Sequence, residues 1–298
     1  MKNEITSIGE ILFDIYGTQK NFGGAPFNFI FHAKKITGKA NFVTAVGDYD
    51  NGETILEFLG QHDFSQEYIG VKKGLSTGTV MVKLNKLKVP EYHIKNNVAY
   101  DFIDLSENQK SDLIKSSGLV YFGTLCQRNE VSRKTINSFF NSDLIKFCDL
   151  NLRQAFYSEQ IITDSLQAAD ILKLNIDEMK MICEIFNIDF TDSSTAATEL
   201  MKRFEISNIA VTKGEDGAEL YSNSEFDYYK SEVTNAVDTV GAGDAYSAVL
   251  AVGILNGLKI NKINRLANQF ASEICMVKGA LPQNEDVYKI FREKLTNE

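Results

Sequence analysis

Toward the C-terminal end of this 298-residue chain, Asp238 and Asp244 bracket the stretch Thr-Val-Gly-Ala-Gly, and an apolar run beginning Ala245-Tyr-Ser-Ala follows directly. Glycine is costly in regular structure but permits a sharp turn or a close approach to a ligand. A helix beginning at Gly241 would aim several free N–H groups outward, and such a terminus attracts anions. Asp244 would then sit where negative charge is already being gathered, which is poor for stability and useful for chemistry. A plain helix start with a favourable charge–dipole contact fits the same residues. A second glycine-centred stretch, Asn21-Phe-Gly-Gly-Ala-Pro-Phe-Asn28, leads into a helical run from Phe27 to Ile36. Pro26 suits a first helical turn, and Asn28 carries a donor and an acceptor on one short side chain. On its own this stretch reads equally as a ligand loop or a strand-to-helix turn.

Neither stretch is a familiar nucleotide fingerprint. No Lys follows Gly243, as a phosphate-cradling Gly-x-x-x-x-Gly-Lys loop requires, and Tyr246 stands where a dinucleotide fingerprint wants its third glycine.

The elements that must carry these residues are legible from periodicity. From about residue 118 onward, short apolar runs alternate with helical segments: strands at Gly118–Gly123, Leu144–Leu150, Ala169–Leu174 and Asn208–Thr212, with helix between them, including one around 129–141. That alternation implies βαβ units and a mainly parallel sheet flanked by helices. Two long helices, at about 241–256 and 260–276, close the core. Before residue 100, Thr77–Leu84 and Glu91–Lys95 read as strands joined by a polar turn. With Ile8–Tyr16 they predict a small antiparallel sheet projecting from the main body, a lid governing access and water.

A net charge of -9 argues against nucleic acid and an anionic membrane surface as main partners and fits ordinary solubility. The four cysteines are widely spaced and the three histidines lack ligand spacing, so no disulfide framework or zinc site is expected. No run is long enough to span a bilayer, and Met1-Lys-Asn-Glu-Ile lacks an apolar signal region. A cytoplasmic protein is expected.

Taken together, the two glycine motifs resemble the signatures of the ribokinase-like, or PfkB, carbohydrate kinase family. Further matches follow in the family's order: Gly9-Glu10 through Asp14, Val46-Gly47-Asp48 through Gly52, Asn175-Ile-Asp-Glu178, Val211-Thr212-Lys213-Gly214 through Gly217, and Gly279-Ala280-Leu-Pro282. The resemblance implies a single ribokinase-like α/β domain over residues 1–298, with a lid from about 10–25 and 76–100. It implies ATP-dependent transfer of a phosphoryl group to a sugar hydroxyl. Asp244 would be the base, with Gly241, Ala242 and Gly243 forming the anion hole. Asp14, Gly23, Gly24, Asn28 and Arg153 would hold the sugar. Asn175, Thr212, Gly214, Gly217 and Asn268 would line the ATP site. Asn175 and Glu178 would organise Mg²⁺ through water, although without the other motifs an N-cap and a surface acid would be the default reading of that pair. A K⁺ ion would sit near Asp238 and Gly279.

Asp149-Leu-Asn151-Leu-Arg153 resembles a segment of fructokinases and 2-keto-3-deoxygluconate kinases, so fructokinase is the leading expectation. Two departures qualify it: Tyr92–Asn97 lacks the arginine common in the second lid strand, and Leu150 replaces a usual proline. A sugar-acid kinase would draw on Arg153 or Lys95, and a sugar-phosphate kinase on Lys83, Lys86 and Lys88 of the lid, although alternating solvated strand lysines are the commoner explanation of those three. A catalytically dead relative that binds sugar or nucleotide ranks lower, because Asp244 and its glycines are intact. A homodimer joined through the lid is expected.

Overall fold

The computed structural model describes residues 3–84, 90–223, 225–233, 235–282 and 284–296; Lys86 and Lys88 lie outside them. Strands β1 (Glu4–Ile8), β2 (Leu12–Tyr16) and β3 (Gln19–Gly23) lead into helix α1 (Ala25–Thr37). Next come β4 (Ala40–Gly47), α2 (Asp50–Gln61), β5 (Ile69–Lys72), β6 (Gly78–Leu84) and β7 (Pro90–Ile94). The alternating part follows: α3 (Glu107–Ser116), β8 (Ser117–Phe122), α4 (Glu130–Asn137), β9 (Ile145–Asp149), α5 (Glu159–Ala168), β10 (Ile171–Asn175), α6 (Ile176–Phe186), α7 (Ser193–Phe204) and β11 (Asn208–Thr212). The pair β12 (Ala218–Ser222) and β13 (Phe226–Tyr229) precedes α8 (Ala242–Leu255), α9 (Ile260–Cys275) and α10 (Asp286–Thr296).

Nine strands form one sheet in the order β13-β12-β11-β10-β9-β8-β1-β4-β5. From β11 to β5 every neighbouring pair is parallel, and β12 and β13 add an antiparallel edge. Strands buried on both faces read as apolar runs, and in β8 alternate residues serve opposite layers. Leu119 and Tyr121 join the core under α1, α8, α9 and α10, whereas Val120 and Phe122 join the core under α5, α6 and α7. Helix α8 is apolar on all sides and buried from Ala245 to Gly253, as a helix between a sheet and other helices must be. The four cysteines are free and buried. Among the described residues, no helix is long and apolar enough to cross a membrane.

The smaller sheet has the order β3-β2-β6-β7. Two of its pairings are antiparallel, and β2 runs parallel to β6. A parallel pair needs a long crossover. Here the crossover passes through α1, β4, α2 and β5, so much of the segment before residue 100 belongs to the main body rather than the lid. Helix α4 stops at Asn137, short of the expected 141. The Ser138 and Ser142 hydroxyls donate to the carbonyls of Thr135 and Phe139, competing with the helical ladder.

The chain leaves β1 toward β4 and β5 on one side and toward β8 through β11 on the other. Such a reversal opens a crevice at the carboxyl ends of the strands. Glu10, Leu125, Arg153, Asn175 and Thr212 all lie just past, or at, those ends, and all face the same cavity system.

Candidate active site

Two adjoining cavities, of about 680 and 600 Å³, occupy this crevice, and Asn175, Thr212, Thr239 and Gly243 belong to the walls of both. Their junction is the N-terminus of α8. Gly241 precedes it with φ 79°, and a Cβ there would come within 2.4 Å of the Ala280 Cβ. Only glycine satisfies both the left-handed backbone and that contact. The loop from Gly279 thereby packs against the helix start, and the Gly279 amide donates to Asp238 Oδ2 at 2.9 Å. Asp238 Oδ1 accepts from the Val240 amide at 3.1 Å, so this carboxylate ties down the loop entering α8.

The 680 Å³ cavity lies between the sheet edge and the lid. Strand period 2 places Leu12, Asp14 and Tyr16 on one face of β2. Their cross-strand neighbours Val80 and Ile94 complete that face, since Asp14 pairs with Val80 and Val80 with Ile94. Asp14 Oδ2 packs where a Cβ on Gly23 would stand, only 2.3 Å from it, so Gly23 makes room for Asp14 rather than lining the cavity. Gly24 has φ 110°, and a Cβ there would lie 2.5 Å from the Glu10 carbonyl oxygen. Burial, opposed by Arg153, pushes the Asp14 carboxyl up to about 6.

Across the cavity, Asn28 on α1 donates through Nδ2 to Asp244 Oδ2 at 2.8 Å. Asn28 Oδ1 is buried and has no partner among the described residues. Burial and the nearby Asp149 push the Asp244 carboxyl up to about 7, against the pull of Lys173, Asn28 and Arg153. Asp244 therefore sits near the midpoint of its titration at neutral pH, a condition that suits proton transfer.

Beneath it is a saturated polar cluster. Asp149, fully buried at the end of β9, accepts from Tyr121 Oη at 3.0 Å, Ser247 Oγ at 3.0 Å and Lys173 Nζ at 3.1 Å. Burial opposes the Lys173 charge, but Asp149, Glu178 and Asp244 together hold its pKa above the ordinary value. Lys173 Nζ would lie only 3.1 Å from a Cβ on Gly243, so a buried cation underlies the first turn of α8.

Asn175 caps α6: its Oδ1 accepts the amides of Asp177 and Glu178, each at 2.9 Å, while Glu178 Oε2 accepts the Asn175 amide at 2.8 Å. Glu178 is not a surface acid. It is 7% exposed, and its Oε1 accepts the Leu152 amide at 2.8 Å, tying down the loop that presents Arg153. That loop includes Asn151 at φ 38° and Gln154 at φ 50°, left-handed conformations uncommon outside glycine. Arg153 itself is exposed and lines the cavity.

The 600 Å³ cavity is walled by Thr212, Gly214, Gly217, Ala242 and Asn268 among others, with an apolar side from Val233, Ala236, Ala271 and Cys275. Asn268 Nδ2 donates within α9, to the Asn264 carbonyl at 2.9 Å and to Asn264 Oδ1 at 3.0 Å.

The geometry thus gathers Asp14, Gly24, Asn28, Arg153, Asn175, Glu178, Thr212, Gly241, Gly243 and Asp244 around one cavity, and Gly214, Gly217, Ala242 and Asn268 around the other. Gly23, Asp238 and Gly279 stand behind the walls. Sequence reasoning assigned no role to Glu10, Lys173 or Thr239. Glu10 is a buried carboxylate lining the 680 Å³ cavity; its Oε2 accepts from the Cys126 thiol at 3.0 Å, and burial raises its pKa. A lysine in the middle of the apolar run Ile171-Leu-Lys-Leu174 was the available signal for Lys173, because an unpaired charge is not tolerated in a strand covered on both faces.

Comparison with known proteins bears on the family and the fold. An uncharacterized sugar kinase of Pyrococcus horikoshii is 29% identical over 98% of this chain and 97% of its own length. The structure of that protein in complex with ATP superimposes with a TM-score of 0.82, covering 98% of this chain and 99% of the other. "Probable fructokinase-2" of Arabidopsis thaliana is 24% identical over 94% of this chain and 92% of its own. The ATP-bound fructokinase of Xylella fastidiosa shares the fold with a TM-score of 0.85 at 15% identity, over 99% of both chains. The model of pfkB family carbohydrate kinases matches residues 3–286. The chain belongs to the pfkB family of carbohydrate kinases.

Proposed function

We propose that this kinase transfers the γ-phosphoryl group of ATP to fructose, giving fructose 6-phosphate, with Asp244 as the base. The observation that carries the reading is the junction itself. Asp244, with its pKa near 7, stands at a helix N-terminus between the 680 Å³ cavity, which Asp14, Asn28 and Arg153 line, and a second cavity with an apolar side. The sugar hydroxyl oxygen forms the new bond to phosphorus, the bond from phosphorus to the β–γ bridging oxygen of ATP breaks, and the hydroxyl proton passes to Asp244. A loose transition state asks little of the base until late. The amides at Gly241, Ala242 and Gly243 stabilise the charge on the moving group, as an oxyanion hole does.

Asp14, Gly24 and Asn28 grip the sugar hydroxyls, and the unpartnered Asn28 Oδ1 supplies an acceptor that awaits one. Arg153 faces the acceptor or the phosphoryl group. Thr212, Gly214, Gly217 and Asn268 border the nucleotide.

No cluster of three metal-ligating His, Cys, Asp or Glu side chains occurs among the described residues. A water-bridged Mg²⁺ on the ATP phosphates, near Asn175 and Glu178, fits that donor set, and its role is to neutralise phosphate charge. The place for K⁺ is the loop of Asp238 and Gly279, beside the α8 N-terminus. A dimer joined through the lid would cover Tyr16 and Met81, both exposed apolar residues of its strands.

The test is ATP consumption, with Mg²⁺ and with K⁺ or Na⁺, against fructose, 2-keto-3-deoxygluconate, ribose, tagatose and fructose 6-phosphate. Fast turnover of fructose alone supports the reading. Preference for the sugar acid would make Arg153 a carboxylate ligand and displace fructose. Silence across the panel with ATP still bound would refute a kinase for these acceptors.

A further inference from the structure

We propose that a third cavity, separate from the two above, binds a small phosphorylated metabolite and thereby regulates the presentation of Arg153. The cavity measures about 480 Å³ and shares no lining residue with the other two. It lies on the far side of the loop that carries Arg153: residues 151–154 line the acceptor cavity, while Ala155, Phe156 and Tyr157 line this one.

Its chemistry selects an anion. Arg128 and Arg133 both belong to its walls, in a protein whose net charge is -9. The one acid lining it among the described residues is Asp101. Both Asp101 oxygens are already occupied by Arg128, through Nε at 2.7 Å and Nη2 at 2.9 Å. The Arg133 side chain makes no hydrogen bond or ion pair among the described residues. The Arg128 side chain is only 8% exposed, yet its Nη1 is buried without an acceptor among the described residues. A buried donor left unpaired costs free energy unless something arrives to accept it. Asn129 and Ser158, the N-caps of α4 and α5, also line the cavity, so two helix N-termini converge on it. Apart from Nη1, the Arg128 guanidinium is already engaged by Asp101, the Lys95 carbonyl and the Tyr100 hydroxyl, so Arg133 is the cation open to a ligand among the described residues. An arginine beside two helix N-termini suits phosphate oxygens. The volume exceeds what a bare phosphate fills, and Phe156 and Ile161 offer an apolar wall for the organic part.

The coupling runs through Phe156. The Arg128 guanidinium lies 4.6 Å from the Phe156 ring centroid and 5.1 Å from that of Tyr100. A ligand that draws on Arg128 therefore acts on the residue three positions after Arg153, in a loop that already holds two left-handed non-glycine residues.

The test saturates the protein with a non-hydrolysable ATP analogue, which fills the γ-phosphate position, and titrates inorganic phosphate and glycerol 3-phosphate calorimetrically. One equivalent of each should bind with the analogue in place, glycerol 3-phosphate the more tightly. R133A should weaken both by about tenfold or more, and R133K should recover part of the loss. Basal turnover of R133A without added phosphate should match wild type, while the change in sugar KM caused by glycerol 3-phosphate in wild type should vanish. Abolition of phosphate binding by the ATP analogue, or equal affinity in R133A, would overturn the site. Glycerol 3-phosphate binding no tighter than phosphate would overturn the assignment of the apolar wall. Binding without any change in sugar KM would overturn the coupling to Arg153.

Discussion

Asp149 and Asp244 sit close enough for one to shift the titration of the other, yet the chain treats them in opposite ways. Asp149 is fully buried and receives hydrogen bonds from Tyr121, Ser247 and Lys173. Asp244 is half-buried and, among the described residues, receives one side-chain hydrogen bond, from Asn28, whose own oxygen has no partner among them. A carboxylate with its partners complete holds structure; a carboxylate and amide left incomplete keep capacity for a ligand and a proton. The floor of the site is complete in itself, and the wall above it keeps an open acceptor at Asn28 Oδ1 among the described residues.

That contrast can be broken at either carboxylate. Asp244→Asn should lower kcat by roughly 10²- to 10⁴-fold while ATP binding and the circular dichroism spectrum stay unchanged; a wild-type rate would return the base to some other group. Lys173→Met, which leaves Asp149 charged and unpaired, should cost about 3–5 kcal/mol in urea unfolding. A loss below about 1 kcal/mol would show that the cluster is not a closed unit. Asn28→Ala should lower kcat/KM for the sugar by roughly 10- to 100-fold, since a hydrogen bond to a charged partner and a waiting acceptor both disappear.

The smallest effect concerns pH. The Asp244 pKa is raised from 3.8 to about 7 in the folded protein, so the native state binds this proton more tightly than the unfolded chain. That contribution to stability is present below about pH 3.8 and is lost as pH rises toward 7. Asp244→Asn should therefore raise Tm by at least ~2 °C at pH 8 and change little near pH 4. In the active enzyme, kcat/KM should fall on acidification through the region near pH 7. A Tm gain that persists undiminished at pH 4 would assign it to packing rather than to charge.

The sequence makes one half of this comparison legible and hides the other. The Gly-Ala-Gly before Asp244 announces both a helix start and the carboxylate proposed as the base, because backbone geometry and that chemistry call for the same small residues there. β11 falls at the predicted Asn208–Thr212 for a related reason: an apolar β-branched run covered on both faces has few alternatives. Lys173 is harder to read, since a strand pattern records which faces are covered but not which charge lies across the layer. Glu178 shows the limit clearly. Its spacing from Asn175 identifies a capping box, whereas its second partner, the Leu152 amide, is brought to it by the fold across 26 residues. The parallel pairing of β2 with β6 likewise depends on a crossover through the body, which local strand signals do not encode.

The bond between Asn28 and Asp244 spans 216 residues of chain. Helix α1 emerges early in synthesis and α8 late, and both belong to the same core layer. Contacts of such sequence separation form slowly because the loop between them must first be closed. A nascent chain can thus assemble much of the parallel sheet while the carboxylate proposed as its base has yet to be made. The ability to move phosphate becomes a property of the finished polypeptide alone, and a chain interrupted before residue 244 is spared any chemistry it could not control.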